Sequence, residues 1–312
     1  GRKTGKAAIE AYRDCDKRFT INGWFETLVP FFLICFYCTM GGYVIKYMIA
    51  NLGDIFGASW GTGRVDADAF FGGFISSGMP AILFGVFFLV LTVLIVIGGV
   101  SGGIEKFSKI AMPALFIMLV IVVIRSCTLP GAGAGLEFMF KPNFEVFKGL
   151  GWLKVLGAAG SQMFFSLSLA SGCLIAYGSY LGKDSNMEQN AVIIPVADTV
   201  VAVLAGMAVM PAVFAYGIEP GGGPGLLFVS LQAVFDNMGS TGPIFGFIFY
   251  ALVFFAALSS SIGMMEGGIS AMMDAQQKKG KKVNRTMLTL IMGFVALVGS
   301  TIVSADGLGS TG

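Results

Sequence analysis

Hydroxyl groups and a carboxylate interrupt several long apolar stretches of this chain. The segment SQMFFSLSLASGC, residues 161–173, carries four serines, the segment AALSSSIGMM, residues 256–265, carries three, and Asp198 lies inside a further apolar stretch. Such oxygens are the ligands that hard cations prefer. An ionised carboxylate at mid-membrane costs at least about 2.5–3.5 kcal/mol, so Asp198 needs a proton, an ion or a partner. These residue types predict cation binding within a membrane.

The elements that carry these residues are predicted to be membrane-spanning helices. Hydrophobic residues make up 55% of the chain and charged residues 12%, and the mean hydropathy is +0.82. A soluble domain has about 25% charged residues. A helix needs roughly 20 apolar residues to cross the hydrocarbon core. Seven stretches meet this length, at about 22–50, 80–99, 108–129, 151–180, 190–216, 243–274 and 286–304.

The charge pattern predicts the orientation of these spans. The net charge of +2 gives no overall electrostatic footprint for nucleic acid, but basic residues cluster before the first span and again at 278–285. Seven spans that start inside place both clusters in the cytoplasm, in agreement with the positive-inside rule. We therefore expect a multi-pass protein of the inner (plasma) membrane with residues 1–20 cytoplasmic. The external loop at 130–150 is the weak point, since it carries Lys141 and Lys148, accompanied by two glutamates.

The serines of 161–173 favour a local break in their helix. Successive helical residues are about 100° apart, so Ser166 and Ser168 would point roughly 200° apart and could not share one face. Unwound backbone at membrane depth is tolerated where it lines a cavity, and it offers carbonyls to cations and N–H groups to carboxylates. In the second cluster, Ala256 and Ser260 share a face and could place a carbonyl and a hydroxyl beside one ion. The alternative for both clusters is close helix packing through small residues.

Enzymatic chemistry is disfavoured by the residues that are missing. A serine nucleophile needs a base, and the chain has no histidine and no lysine near these serines. Five cysteines show no metal-binding spacing and are expected to be free thiols. The other intramembrane carboxylates are Glu266, for which a structural buried pair is one interpretation, and Asp274, either a solvated helix-end charge or half of a gate salt bridge.

Several motifs together resemble the neurotransmitter:sodium symporter family. They are GRKTG at the start, GGIEKFSKIAMP, GSQMFFSLSLASG, EPGGGPGLLFVSLQAVF and AALSSSIG, and they extend along essentially the whole chain. The resemblance implies an all-α integral membrane fold of the LeuT type, with inverted repeats and a broken sixth helix. It places residues 1–312 in one transporter domain that matches helices three to nine. The first helix, most of the second and those after the ninth are then expected to lie outside this chain.

The resemblance also implies roles for individual residues. The substrate-binding residues would be Leu33, Tyr37, Phe165, Ser168, Ala170, Ser171, Ser261 and Met264. Two sodium ions are implied, the first held by Ser166 and Asp198 and the second by the Ala256 carbonyl with Ser259 and Ser260. The gates would include Phe165, which closes over the substrate, and Tyr180 and Asp274 on the cytoplasmic side. The arginine partner of Asp274 would lie outside the chain.

Two departures from the family pattern shape the expected function. Ala170 and Ser171 stand where the family often has glycine followed by a large residue or a serine, which suggests a pocket wider than leucine needs. Asp198 stands where the family usually has asparagine, and a fixed carboxylate can replace the chloride that some relatives need near the first sodium.

The sequence therefore predicts a sodium-coupled, chloride-independent symporter of neutral or hydrophobic amino acids that works by alternating access. The alternatives are a transport-inactive amino acid sensor or a channel-like protein on the same fold, and a truncated chain that does not transport. The lipid bilayer and the substrate are the expected partners, without nucleic acid. A homodimer is compatible with the sequence, which carries no signal for the oligomeric state.

Overall fold

The computed structural model describes residues 1–63, 65–169, 171–182, 184–218, 223–280 and 282–305. Within these ranges the regular elements are helices, without a β-strand. The α-helices are α1 (Ala8–Cys15), α2 (Thr20–Ile55), α3 (Ala67–Ile75), α4 (Met79–Ile97), α5 (Glu105–Cys127), α6 (Ala132–Phe140), α7 (Gly151–Ser166), α8 (Cys173–Tyr180), α9 (Met187–Ala215), α10 (Leu231–Asn237), α11 (Gly242–Lys278) and α12 (Arg285–Ala305).

Six helical segments among the described residues are long and apolar enough to cross a membrane. They are Lys17–Ile55, Met79–Ile97, Val100–Cys127, Met187–Ala215, Gly239–Lys278 and Arg285–Ala305. The seventh predicted span, 151–180, forms two shorter helices, α7 of 16 residues and α8 of 8 residues. The prediction of a broken helix in this stretch is therefore confirmed.

Local sequence signals account for where several helices begin and end. Helix α4 follows Gly78, whose φ of +64° suits glycine, and has a proline in its first turn, where the missing N–H costs nothing. It ends at Ile97 and is followed by the cap residue Gly98 and by Gly99, which takes a φ of +77°. Helix α3 is capped by Asp66, whose carboxylate accepts the Ala69 N–H at 3.3 Å. These ends are set by residues next to the helix rather than by distant contacts.

The chain divides into two compact units, and we name them the first and the second unit. The first unit comprises residues 1–33, 141–202 and 263–292. It contains α1, α7 and α8 and parts of four long helices. Gly23 of α2 lies against α1, where a methyl group would come within 2.6 Å of the Ile9 Cα atom. Ala7, Ile9 and Ala271 form a small apolar core there.

The second unit comprises residues 34–140, 203–262 and 293–312, of which the structure describes the ranges given above. Its core is aromatic. The Phe228 ring lies 5.0 Å from that of Tyr47 and 5.9 Å from that of Tyr43, and the Tyr47 ring lies 5.2 Å from that of Tyr250. All four side chains are fully buried. Tilted and edge-on pairs of this kind are the favoured arrangements of aromatic rings.

Candidate functional site

The break between α7 and α8 is built from unusual backbone conformations. Ser168 has a φ of +53°, and no other non-glycine residue in the described ranges has a positive φ. A left-handed conformation costs an ordinary residue about 1–2 kcal/mol. Gly172 also has a positive φ of +69°, and a methyl group there would come within 2.8 Å of the Glu26 carbonyl oxygen. Glycine is therefore required at the start of α8 for both conformation and space.

Side chains and backbone groups of the break bond to one another locally. The Ser171 hydroxyl donates to the Ser168 carbonyl at 2.8 Å, and the Leu169 N–H donates to the Phe164 carbonyl at 3.0 Å. Ser171 is buried, whereas Ser168 is exposed. The two serines thus differ in their contacts. The Ser171 hydroxyl stabilises the turn, whereas the Ser168 side chain is exposed to the surroundings. Ala170 lies outside the described residues.

The end of α7 approaches α9 through Ser166 and Asp198. The Ser166 Oγ lies 2.8 Å from Asp198 Oδ1 and 2.8 Å from Oδ2, so the hydroxyl donates to the carboxylate. Both residues belong to the first unit. The contact brings together the two residues that were predicted to hold the first sodium, 32 positions apart in the sequence. A hydroxyl that donates to a carboxylate keeps lone pairs with which to contact a cation.

The residues predicted for the second sodium lie together on α11 in the second unit. The Ser259 hydroxyl donates to the Ala256 carbonyl at 2.8 Å, so these two oxygens are close enough to contact one ion. Ser260 is exposed, and Ala256 and Ser259 are partly exposed. The donor set of one carbonyl and two hydroxyls is the oxygen chemistry that suits a hard cation.

The predicted substrate-binding residues fall in both units. Leu33, Phe165, Ser168, Ser171 and Met264 belong to the first, and Tyr37 and Ser261 to the second. Phe165 is 61% exposed, and Tyr37 is partly exposed. Their roles in substrate binding remain predictions.

Ser261 is held by a contact that sequence reasoning missed. It is fully buried, its hydroxyl donates to the Leu258 carbonyl at 2.9 Å, and its oxygen lies 2.9 Å from the Thr92 hydroxyl of α4. The Thr92 oxygen also lies 3.1 Å from the Phe88 carbonyl oxygen, so one hydroxyl of the pair donates to the other, while the second donates to its own helix. The pair of hydroxyls thus joins α4 to α11 and fixes the rotation of α11 next to Ser259 and Ser260.

A buried ion pair lies at the predicted cytoplasmic gate. Glu266 is fully buried, and Arg285 bonds to both of its carboxylate oxygens, at 3.0 Å to Oε1 and 2.5 Å to Oε2. The Tyr180 hydroxyl donates to Glu266 Oε1 at 2.7 Å and lies 2.7 Å from the Ser270 hydroxyl. The network joins α8, α11 and α12 within the first unit. Glu266 is thus one half of a buried ion pair, which is one of the interpretations drawn from the sequence. The bidentate geometry satisfies much of the desolvated charge.

Sequence reasoning did not identify Arg285 and Ser270 as members of this network. Ser270 follows Glu266 by four residues, so the helical repeat could have placed the two side chains on one face. Arg285 lies in the same basic cluster as the neighbouring lysines, and no local pattern distinguishes it from them. Its role depends on the fold.

Asp274 bonds to the backbone of α1. Its Oδ2 accepts the Ala7 N–H at 2.6 Å. Nearby, the Tyr12 hydroxyl of α1 donates to Glu26 at 2.7 Å, which raises the pKa of Tyr12 to about 12 because the bond favours the neutral phenol.

All five cysteines are free, as predicted.

Comparisons with known proteins agree with the resemblance seen in the sequence motifs. The model of the Sodium:neurotransmitter symporter family matches residues 73–309. The uncharacterized sodium-dependent transporter YhdH of Bacillus subtilis (strain 168) is 34% identical over 93% of this chain and 63% of its own length. An uncharacterized sodium-dependent transporter of Haemophilus influenzae (strain ATCC 51907) is 35% identical over 97% of this chain and 68% of its own. The chain thus spans about two thirds of these relatives.

A solved structure is similar in fold. The crystal structure of MhsT in complex with L-phenylalanine superposes with a TM-score of 0.84 at 33% identity, and the match covers 99% of this chain and 68% of the MhsT chain. The likeness confirms the prediction of a LeuT-type helical membrane fold.

Proposed function

Because the chain belongs to the sodium:neurotransmitter symporter family, whose members are transporters rather than enzymes, we propose that it serves in sodium-coupled amino acid symport by alternating access. The observation that carries this proposal is the contact of Ser166, at the end of α7, with both carboxylate oxygens of Asp198. It supports a fixed negative charge next to the break in the helix. The carboxylate can bind sodium, and the free backbone groups at the break can bind the charged ends of a zwitterionic substrate.

The coupling follows from shared ligands. Sodium at Ser166 and Asp198 leaves positions in its oxygen shell that the substrate carboxylate can complete. The substrate carboxylate would also accept backbone N–H groups at the start of α8, where the helix dipole favours negative charge. The substrate then binds well only when sodium is present. Ala256, Ser259 and Ser260 are proposed to hold a second sodium.

We assign the substrate class to neutral, hydrophobic amino acids. The proposed pocket residues are apolar or carry a hydroxyl. The charge of Asp198 is proposed to bind sodium and so does not select a charged side chain. MhsT, with the same fold, was solved with L-phenylalanine, which supports a hydrophobic side chain of that kind. Ala170 and Ser171 are small residues that would leave room for it. Phe165, which is largely exposed, would close over the bound substrate.

The cytoplasmic gate is proposed to include Tyr180 and Asp274. The bond from Tyr180 to the buried Glu266–Arg285 pair would hold α8 against α11 while the gate is closed. Opening would exchange this bond for water, which is accessible on the cytoplasmic side. We place residues 1–20 in the cytoplasm and the protein in the plasma membrane, and a homodimer is compatible with this placement.

The first test is uptake by proteoliposomes that contain the protein expressed from its native gene. A panel of labelled neutral amino acids is offered with an inward sodium gradient, and chloride is replaced by gluconate in a parallel series. We expect accumulation that requires sodium and is indifferent to chloride. Sodium-dependent binding without accumulation would favour a sensor, and downhill flux that never exceeds equilibrium would favour a channel-like protein.

The role of Asp198 is tested by Asp198→Asn. The change keeps the shape of the side chain and removes the charge, so uptake in gluconate should fall at least about tenfold, and chloride should restore part of it. Glu188→Gln is the matched control, because this carboxylate lies in the first turn of the same helix and is exposed. Equal activity of the Asn variant with and without chloride, at the wild-type level, would refute the counter-charge role.

A further inference from the structure

Helix α1 begins without a capping side chain of its own. It is preceded by Ala7, which has an extended backbone and a methyl side chain that cannot accept a hydrogen bond. The first N–H groups of a helix lack intrahelical acceptors, and alanine is among the poorest residues at this position. The Ala7 N–H instead donates to Asp274 Oδ2 at 2.6 Å, across 267 positions of sequence. The cap is supplied by another helix.

A second contact joins the same two helices one turn further along. Glu10 of α1 is 6% exposed and accepts Lys278 of α11 at 3.0 and 3.4 Å, and Arg13 bonds to the same carboxylate. Lys278 follows Asp274 by one helical turn. Two contacts a turn apart prevent α1 from sliding or rotating on the end of α11. The Ala7 amide is therefore held at a constant position relative to Asp274.

The Ala7 N–H is the group that can orient the Asp274 carboxylate. In the part of the chain that the structure describes, it is the one hydrogen bond that Asp274 makes. Lys6 and Glu10 also act on this carboxylate electrostatically, but with opposite signs. Their effects partly offset each other. A hydrogen bond to an ionised acceptor is short and strong, so the amide determines which way the carboxylate points.

We propose that the Ala7 backbone N–H is a positioning group for the gate carboxylate of Asp274. It holds Oδ2 and leaves Oδ1 directed to a cationic partner when the cytoplasmic gate closes. This inference rests on the proposed function, since it assigns α1 the task of setting the strength of the same gate.

Ala7→Pro removes this N–H and keeps the φ angle of the residue. Ala7 has a φ of −72°, which proline adopts without strain. Ala8→Pro is the matched control, because it places the same ring one residue further, at the first helical position, where proline is favoured. Its preceding residue, Ala7, already has the extended ψ of 176° that a following proline demands. Both alanines are 2% exposed, so the added volume is similar.

Loss of the amide should weaken the closed gate and shift the population toward the inward-facing state. Fewer transporters then face the external substrate, so the apparent affinity falls in proportion. For Ala7→Pro we expect the KM for external substrate to rise about three- to tenfold, with the maximal rate within about twofold of wild type. Ala8→Pro should keep the wild-type KM. A purely structural defect would lower the amount of active protein and leave KM unchanged.

Thiol labelling provides a readout that does not depend on transport. Cys173 of α8 is 6% exposed and lies against Gly267 of α11, so it should react faster when α8 and α11 separate. The other four cysteines are replaced by serine, and modification by N-ethylmaleimide is timed. We expect faster labelling in Ala7→Pro than in Ala8→Pro. Equal labelling and equal KM in the two proline variants would overturn the inference.

Two further variants keep the test decisive. Should Ala7→Pro fail to fold, Lys278→Met releases α1 from α11 at the second contact and should raise KM and Cys173 labelling in the same direction, by less. No shift in Lys278→Met would then count against the proposal. Asp274→Asn combined with Ala7→Pro should give less than the sum of the two effects. Absence of sodium-driven uptake in the wild type would refute the proposed function instead, while the labelling comparison still tests the contact.

Discussion

The first unit is joined by charged and polar side chains, whereas the second unit is filled by aromatic rings. In the first, Arg285 binds the buried Glu266, and Asp274 accepts the amide of Ala7. In the second, the rings of Tyr47, Phe228 and Tyr250 pack at 5.0–6.4 Å from one another. Both units contain buried residues, but they are stabilised by different physical means.

The difference indicates which unit could change its contacts in the proposed transport cycle. A hydrogen bond or ion pair that opens to water is lost at modest net cost, because water offers equivalent partners; the cost is large only when one partner is removed and the other stays buried. A packed aromatic cluster has no such substitute, since separating its rings exposes apolar surface or leaves cavities. We therefore expect the first unit to hold the moving gate and the second to remain rigid. The proposed gate residues Tyr180 and Asp274 both lie in the first unit.

Breaking the ion pair should have the largest effect on stability. Arg285→Met leaves Glu266 buried without a countercharge and should lower the free energy of unfolding by about 3–5 kcal/mol. The measurement is SDS-induced unfolding in mixed micelles. Lys282→Met is the control, because this nearby lysine is exposed. Adding Glu266→Gln to Arg285→Met should recover much of the loss, and a loss no greater than that of the control would contradict the assignment.

Removing one ring from the second unit should have a smaller effect on stability. Phe228→Leu keeps an apolar side chain but loses ring contacts with Tyr43, Tyr47 and Tyr250, so we expect a loss of about 2–3 kcal/mol. Phe87→Leu is the matched control, since Phe87 is 52% exposed on α4. Transport by the folded fraction of Phe228→Leu should keep the wild-type KM. A changed KM at unchanged stability would place Phe228 among the moving parts.

Two tyrosines test the polar part of the aromatic core. The Tyr250 hydroxyl donates to the Leu227 carbonyl at 3.0 Å, so Tyr250→Phe should cost about 1–3 kcal/mol by leaving that carbonyl without its donor. The Tyr43 hydroxyl has no partner among the residues that the structure describes. Tyr43→Phe should therefore change stability by less than about 0.5 kcal/mol. The same unfolding assay compares them, and equal losses would show that the Leu227 bond contributes little.

Much of the site could be predicted because its signals are local. Ser166 and Ser168 could not face one pocket from a regular helix, and the structure breaks the helix between Ser166 and Cys173. Gly172 follows the serines where a left-handed residue is needed. Ala256 and Ser259 are near each other because they share one helix.

Other parts of the site could not be predicted because their partners are distant in sequence. Arg285 resembles the lysines around it until the fold brings it to Glu266. Ser261 was expected to line the substrate pocket, and its hydroxyl contacts Thr92, 169 positions away. The amide of Ala7 carries no sequence signal at all, since every residue except proline has an N–H group.

The sequence alone determined the membrane location, the approximate spans, the break in 151–180 and the family. Hydropathy, helical periodicity and short motifs are properties of neighbouring residues, so no knowledge of the fold is needed to detect them. Only the tertiary structure decided the partners of the buried charges, the pairing of Thr92 with Ser261, the capping of α1 by Asp274 and the division into a polar and an aromatic unit. These depend on which distant segments pack together, and many partners of similar chemistry would satisfy the same local pattern.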